Sequence, residues 1–560
     1  MNFQTFKIKF YDFITDDPSF CIYNGINKNL GELPDPGKNK RITNQGKLKM
    51  LNNALSKVSQ EDFSVDDKVD FELYTLFLEQ LRLSYELEIN NVPHNMRMPM
   101  ACDIISGPLF TLFIHDQRDE KYRIVNMVSR LEKSDQFITS YCRNIKSPVD
   151  RWVQMELAKL SGLPTFFQSI IEWAKNIGFK NILSLEKAVA KTNSALKRYA
   201  DFLKNVEKSK DIFLGEEQTK LVIKSLGINL SLDELHTIAK EFTLKNQSEV
   251  NELKQKLVAK YGLADSITPE ELQSFLNEKF QVEREGEGFD YILSKYKKES
   301  ESIISFINER NLFPLNLNQE MKIIQTPDFM KPSIPAGAMM PPLAMRDGTK
   351  TSMVYLTLSD DLLAEHTHIS IPGMMIHEGI PGHHLQFSWA SSHKDFIRKV
   401  FSANDLSEGW TTMLEDYMID IGYSSELADE IRFSGKRDIA RIGARVAIDL
   451  YFMSGDKKYL DIGIDGNFNS DDPFANAGAL LKEVTGFVDD RIEGELNWYS
   501  QERGYPLSYL TGNFLVWELK KKFQNKYKEN LSQPEIDLKF HEAFLKAGNM
   551  PVSLLEKILL

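Results

Sequence analysis

Hydrophobic residues recur at helical spacing along most of the chain, which predicts a mainly α-helical protein. The pattern is clear from Lys47 to Leu87 and again from Ser184 to Val206. Helical patterns also cover Val149 to Leu160 and Pro164 to Ile177. The first thirty residues show no such pattern, and we expect them to be irregular.

The pattern changes in the middle of the chain. Residues Ser231 to Leu263 read as shorter charged helices, and a helix start at Thr268 precedes a pattern from Pro269 to Phe280. Frequent prolines and glycines predict a loop between Pro314 and Pro342. Thr351 to Leu358 follows a turn signal and predicts a strand, after which helices resume. The predicted fold class is mainly α with a small β-sheet.

Composition narrows the class of protein. The 560 residues include 42% hydrophobic and 26% charged residues, which is ordinary for a globular protein. The net charge of −12 argues against nucleic acid as a partner. Three scattered cysteines, the absence of a signal-like N-terminal sequence and the lack of a long apolar run predict a cytoplasmic protein without a membrane segment. Oligomeric state is not readable from the sequence.

Histidines cluster in one short region. Six of the ten lie between His366 and His393, and the central string runs from His377-Glu378 through Pro381-Gly382 to a histidine pair. Zinc peptidases carry two histidines four residues apart on one helix, with a glutamate after the first. Here the spacing is six or seven, so an unbroken helix would not bring both rings to one ion.

A break at Pro381-Gly382 removes this difficulty, because proline interrupts the backbone ladder and glycine tolerates unusual dihedrals. If two residues bulge out, His383 becomes the second ligand; if three are absorbed, His384 does. We favour His383, with His384 behind it or in contact with substrate.

Catalytic zinc sites have three protein ligands and an open position. The string from Ser407 to Glu415 offers Glu408 as the third ligand and Glu415 as a hydrogen-bond partner for a ligand histidine. Glu378 would act as general base. The prediction is one Zn²⁺ per chain, although manganese or cobalt could occupy the same donors. The alternative for each histidine is an ordinary core position.

These residues resemble a family catalogued as domain of unknown function 885, whose members look like gluzincin metallopeptidases. The string from His377 to Gln386 matches its HE-x-x-PGHH-x-Q core, and Glu408-Gly409-Trp410 matches its EGW element. Softer matches are Arg445 with Asp449, the Ser508-Tyr509-Leu-Thr-Gly512 stretch, and Phe540-His541 with Gly548 to Pro551. The resemblance covers about residue 340 to the C-terminus.

The chain also departs from the family pattern. Asp449 to Met453 lacks a histidine that many members have, and Trp498-Tyr499 and Arg503-Gly504-Tyr505 replace an Arg-Tyr and a Pro-Gly-Gln. These positions are on the substrate side, so specificity is in doubt more than chemistry.

The resemblance implies roles for two further side chains. Tyr509 would donate a hydrogen bond to the developing oxyanion, unless it merely packs there. Arg445 would bind a substrate carboxylate as a fork, and the alternative is a helix-face salt bridge. His366 and His368 could hold a second metal, but a solvent-exposed or supporting role is favoured. The strand Met353 to Leu358 could pair with a peptide, or be an ordinary sheet edge.

The predicted protein is a zinc metallopeptidase acting on short peptides. Its two-lobed α-helical fold would have residues 1–312 as one cleft wall, residues 313–560 as the catalytic region and the sheet beside the cleft. The first alternative is a zinc amidase or deacylase acting on non-peptide amides. The second is a catalytically silent metal- or peptide-binding protein. The sequence does not indicate whether cleavage is terminal or internal.

Overall fold

The computed structural model describes residues 2–316, 318–327 and 337–560. Contacts between Cα atoms divide the chain into two compact units. The first unit comprises Met1–Phe213 with the short segment Leu343–Asp347, and the second comprises Leu214–Pro342 with Gly348–Leu560. Every predicted site residue lies in the second unit.

The first unit is helical apart from one small hairpin. Its elements are α1 (Phe3–Ile14), α2 (Pro18–Tyr23), α3 (Lys38–Leu55), α4 (Val65–Glu86), β1 (Glu88–Ile89), β2 (Val92–Pro93), α5 (His94–Arg97), α6 (Ala101–Phe110), α7 (Glu120–Cys142), α8 (Asp150–Asn176) and α9 (Ile182–Asn205).

The prediction that the first thirty residues are irregular is wrong. Helix α1 buries Phe3, Phe6, Phe10 and Ile14, which recur every three or four residues. The Asn2 side chain caps the helix by accepting a hydrogen bond from a backbone amide in the first turn. Aromatic burial therefore orders a segment whose polar residues hide the pattern.

Helix α8 also corrects the sequence analysis, since it runs without interruption through Pro164 where two helices were predicted. A proline inside a helix costs about 3 kcal/mol. Leu163, Phe166, Phe167 and Ile170 are buried around it. Each such side chain contributes about 2 kcal/mol when it is fully buried, so packing outweighs the cost of the proline.

The helices of the second unit are α10 (Glu216–Ser225), α11 (Leu232–Tyr261), α12 (Pro269–Lys279), α13 (Asp290–Arg310), α14 (Ile371–Glu378), α15 (His383–Ser392), α16 (Phe396–Val400), α17 (Asn404–Asp420), α18 (Ala428–Ser454), α19 (Pro473–Thr485), α20 (Asp489–Gln501), α21 (Ser508–Tyr527), α22 (Gln533–Lys546) and α23 (Val552–Leu559). The α12 prediction is confirmed, with Thr268 as its cap. The prediction of several short helices between Ser231 and Leu263 is wrong, because α11 is one helix whose buried stripe packs along α18.

A three-stranded sheet in the second unit contains β3 (Gln319–Gln325), β4 (Gly337–Met340) and β5 (Lys350–Leu356). Its order is β3-β5-β4, with β3 parallel and β4 antiparallel to β5. The strand predicted at Thr351 to Leu358 is confirmed as β5. The loop predicted from Pro314 to Pro342 is wrong where β3 and β4 form, and residues 317 and 328–336 of that segment lie outside the described residues.

Strand β5 cannot accept a peptide at its edge, because both of its edges are already paired. This corrects both interpretations of the Met353 to Leu358 strand, each of which assumed a free edge. Among the described residues, β4 is paired only with β5 and is therefore an outer strand of the sheet.

The mainly α-helical fold class is confirmed. The two-lobed arrangement and the division at residues 312 and 313 stay predictions, since the compact units divide at residue 213. Within the described parts of the chain, no helix is long and apolar enough to cross a membrane.

Candidate metal centre

Three predicted ligands converge in the second unit. Ligand atoms of His377, His383 and Glu408 all lie within 4.8 Å of one another. Glu408 Oε2 is 3.6 Å from His377 Nε2 and 3.5 Å from His383 Nε2. The two imidazole rings are nearly perpendicular, with centroids 4.9 Å apart. The donors therefore face a common point.

The histidines meet because the helix breaks between them. Helix α14 ends at Glu378 and α15 begins at His383, so the break spans four residues rather than a two-residue bulge. A Cβ on Gly382 would lie 2.0 Å from the carbonyl oxygen of His377, so only glycine fits. Trp410 on α17 donates its indole hydrogen to the carbonyl oxygen of Pro381 at 3.0 Å, which fixes the break.

His384 points elsewhere. Its Nδ1 lies 2.7 Å from the hydroxyl of Ser352 on β5. Burial lowers the pKa of His384 to about 4, so the ring stays neutral at physiological pH. The structure thus brings His383 into the cluster and places His384 behind it, against the sheet.

Glu408 reaches the histidines because α17 and α21 cross at two glycines. A Cβ on Gly409 would lie 2.4 Å from the backbone carbon of Gly512, so no larger residue permits this approach. Burial raises the pKa of Glu408, but the nearby imidazoles of His383 and His377 outweigh burial and hold the pKa well below its usual range. Glu408 is therefore ionised, as a metal ligand must be.

Glu415 occupies its predicted position. It lies 2.7 Å from Nδ1 of His377, which donates to the carboxylate. This bond selects the tautomer in which the Nε2 lone pair of His377 faces the cluster. Burial lowers the pKa of His377, but its bonds to Glu408 and Glu415 outweigh burial and raise the pKa well above its usual value.

Glu378 is the last residue of α14 and half-buried. In the part of the chain that the structure describes, its carboxylate forms no hydrogen bond or ion pair. Its charge nevertheless acts on His377 and on Tyr509, and it raises the pKa of both. Glu378 is thus placed between the cluster and Tyr509 with its acceptor oxygens uncommitted.

The two side chains with implied substrate roles lie together. The guanidinium of Arg445 is 4.5 Å from the ring centroid of Tyr509. It donates to Glu495 and to the hydroxyl of Tyr499, both at 2.9 Å. The structure therefore gives Arg445 the salt bridge that was the alternative to substrate binding, and its partner is on α20.

The sequence analysis missed Tyr505 as a functional residue. Its hydroxyl donates to Glu408 Oε1 at 2.8 Å. Its position one helical turn before Tyr509 was the available signal, and the two rings stack with centroids 5.9 Å apart. The buried Asp449 accepts hydrogen bonds from the backbone amides of Gly504 and Leu507, both at 3.2 Å, and so holds this loop.

His366 and His368 give no second metal cluster. Nδ1 of His366 lies 2.8 Å from the hydroxyl of Tyr296, and burial lowers the pKa of both histidines. A search of the described residues for groups of three metal-binding side chains gives the His377, His383 and Glu408 set alone. This agrees with the supporting role favoured for these two histidines.

A cavity of about 590 Å³ lies further along α17 and α21, where these helices face α11 and α18. Its walls carry residues such as Asp416, Lys436 and Trp517, but none of the converging donors. We place the candidate site at the donors, because that is where the reactive groups converge.

The donor set fits a divalent metal. Two neutral imidazole nitrogens and one carboxylate are a common catalytic zinc set with an open position. Glu408 Oε2 is buried and has no hydrogen-bond partner among the described residues, although it lies between two ring nitrogens. A cation between these atoms would satisfy a buried charge that is otherwise costly.

The fold and the cluster define a mainly α-helical protein with a His/His/Glu donor set beside a glutamate and two tyrosines. The chain belongs to the family described as "Bacterial protein of unknown function (DUF885)", whose model matches residues 18–559. No curated protein matches this chain.

Two solved structures are similar over nearly the whole length. One is a protein of unknown function from Shewanella oneidensis, proposed to be a lipoprotein, with a TM-score of 0.77, 17% identity and 99% of each chain covered. The other, from Colwellia psychrerythraea and also proposed to be a lipoprotein, has a TM-score of 0.78 and 17% identity, covering 99% of this chain and 98% of that one. At this identity the likeness shows the fold alone.

Proposed function

We propose that this protein is a zinc-dependent metallopeptidase of the gluzincin type that cleaves short peptides. One observation carries the proposal. Ligand atoms of His377, His383 and Glu408 converge within 4.8 Å, and Glu378, the neighbour of His377, has no bonding partner among the described residues. A structural metal site needs ligands but has no use for an adjacent uncommitted base.

Zinc, when bound, would polarise the peptide carbonyl and make a water molecule more acidic. Glu378 takes the proton of the attacking water and delivers it to the leaving amine. Tyr509 donates a hydrogen bond to the carbonyl oxygen as negative charge develops there. Burial and the charge of Glu408 raise the pKa of Tyr509, so its hydroxyl remains a donor at neutral pH.

The outer strand β4 offers backbone groups to an extended peptide. A Cβ on Gly337 would lie 3.5 Å from the side chain of Met374, which is on α14 one turn before His377. A peptide added to β4 would therefore run beside the helix that carries the first ligand. This replaces β5 as the candidate strand for substrate pairing.

A zinc amidase or deacylase is the alternative that uses the same groups. The pairing of Arg445 with Glu495 supports keeping this alternative, because that arginine is already engaged and is not free to select a peptide carboxylate. The silent binding protein is disfavoured by Glu378. Zinc content and peptide turnover separate the three possibilities.

The test begins with zinc content of the purified protein and of His377→Ala, His383→Ala and His384→Ala. We expect about one zinc per chain, lost in the first two variants and kept in the third. Zinc content that is lost with His384 and kept without His383 would reverse the ligand assignment. A native protein that takes up no zinc after reconstitution would end the proposal.

Turnover of a peptide library is then compared for Glu378→Gln and Glu542→Gln. Glu542 is the matched control, because it follows His541 as Glu378 follows His377 but pairs with Lys546 on the surface. We expect Glu378→Gln to keep zinc and lose turnover by at least about 100-fold, with Glu542→Gln unchanged. Full turnover by Glu378→Gln would refute the assigned base.

The cytoplasmic location predicted from the N-terminal sequence belongs to this proposal. The similar structures are of proteins proposed to be lipoproteins, so attachment to a membrane by a lipid is the competing location. Fractionation of cells producing the protein distinguishes a free pool from a membrane-bound one.

A further inference from the structure

The two oxygens of Glu408 have different surroundings. Oε1 accepts the hydrogen bond of the Tyr505 hydroxyl at 2.8 Å. Oε2 lies 3.5 Å and 3.6 Å from the Nε2 atoms of His383 and His377 and accepts no hydrogen bond among the described residues. One oxygen is therefore committed to a phenol, and only the other faces the histidines.

Tyr505 is itself held on several sides. Its ring stacks on Tyr509 and meets Trp498 edge to face, with centroids 5.9 Å and 5.1 Å apart. The preceding Gly504 has a φ of +79°, and a Cβ there would lie 2.6 Å from Leu226, so the turn that aims Tyr505 requires glycine. The backbone bonds to Asp449 secure the same turn.

We propose that Tyr505 is a positioning residue that restricts Glu408 to binding the metal through one oxygen, and thereby favours a four-coordinate ion. The inference rests on the proposed metal centre but not on the proposed peptidase activity. It assigns Tyr505 a role separate from that of Tyr509, which lies one turn further along and acts on substrate.

The physical basis is competition for the lone pairs of one carboxylate. A carboxylate can bind a metal through one or both oxygens. A phenol that donates to Oε1 weakens that oxygen as a ligand and fixes the plane of the carboxylate. Zinc is satisfied by one oxygen at about 2.0–2.2 Å, whereas cations that prefer more oxygen ligands gain from binding both.

The test compares Tyr505→Phe with Tyr417→Phe. Tyr417 is the matched control, since its hydroxyl also donates to a buried carboxylate, that of Asp537 at 3.1 Å, on the same helix as Glu408. Zinc affinity is measured by competition with a chromophoric chelator. We expect Tyr505→Phe to bind zinc about 10- to 100-fold more weakly and Tyr417→Phe to bind it unchanged.

A second readout reports coordination directly. Cobalt(II) absorbs visible light more strongly when four-coordinate than when five- or six-coordinate. We expect the cobalt-loaded native protein to show the strong absorption, and Tyr505→Phe to show weaker absorption together with a higher affinity for Mn²⁺ relative to zinc. Native zinc affinity and an unchanged cobalt spectrum in Tyr505→Phe would overturn the inference while leaving the metal centre standing.

A measurement on the native chain covers the case in which Tyr505→Phe fails to fold. X-ray absorption of the zinc-loaded protein counts the light atoms around the metal, and a crystal structure shows which carboxylate oxygens bind. One Glu408 oxygen on zinc supports the inference, and two overturn it. A native protein that binds neither zinc nor cobalt would overturn this inference and the proposed function together, which separates that failure from the others.

Discussion

The crossing of α17 and α21 is the part of the site most sensitive to one added methyl group. A Cβ on Gly512 would lie 2.1 Å from the carbonyl oxygen of Asp405, whereas ordinary contact begins at 3.4 Å. The obstruction is backbone and cannot rotate away. In Gly512→Ala the two helices must therefore separate by about 1.3 Å, the difference between these distances.

This separation acts on stability and on the metal centre at once. Overpacking of this kind costs about 1–3 kcal/mol of unfolding free energy. Glu408 is on α17 and Tyr505 precedes α21, so their 2.8 Å bond would lengthen past the limit of about 3.2 Å for a hydrogen bond. We expect Gly512→Ala to lose about 2 kcal/mol of stability and at least about 10-fold in zinc affinity.

The matched control is Gly494→Ala on α20. Gly494 is exposed, and a Cβ there meets nothing within 4 Å. Alanine is favoured over glycine inside a helix by about 1 kcal/mol, so this variant should be slightly more stable. Urea denaturation of the metal-free proteins and chelator competition supply the two measurements. The helix-crossing argument is refuted if Gly512→Ala matches the native protein in both.

Two further predictions concern single carboxylates. Glu415→Gln should weaken zinc binding about 10- to 100-fold, because it removes the charge that His377 Nδ1 contacts at 2.7 Å, while the neighbouring Asp416→Asn should not; equal affinities in chelator competition would contradict this. Burial raises the pKa of Glu156 to about 7 from the usual 4.5. The folded state thus keeps a proton that the unfolded state has lost, and stability falls as pH rises between these values, by at most about 1.4 kcal/mol per pH unit. Glu156→Gln should lack this component, so its stability relative to the native protein should increase from pH 5 to pH 8 in urea denaturation, and parallel curves would exclude the assignment.

The ligand positions were accessible from sequence because they are nearly contiguous. His377, Glu378 and His383 lie within seven residues, and the Pro381-Gly382 pair shows where the helix must break. The size of the break was not accessible. Four residues form it, since Gly382 packs directly on the last turn of α14 and Trp410 holds Pro381 from another helix.

The errors in the helix predictions have a common physical cause. Local signals such as Pro164 and the charges of α11 indicate breaks, but burial against neighbouring helices outweighs them. The opposite error occurs in α1, where Phe3, Phe6 and Phe10 supply enough buried aromatic surface to order a polar segment. In each case packing, which sequence periodicity reports only indirectly, decides the structure.

The walls of the site lie beyond prediction from local sequence because each contact joins distant segments. Tyr505 and Glu408 are 97 residues apart, and Arg445 and Glu495 are 50 apart. The family resemblance supplied Tyr509 and Arg445 as residues but not their partners. Those partners change the chemistry: Glu495 engages the arginine, and Tyr505 engages one oxygen of the ligand carboxylate. The metal chemistry is therefore written in one short string, while its selectivity depends on an aromatic and ionic wall that exists only after α17, α18, α20 and α21 have packed.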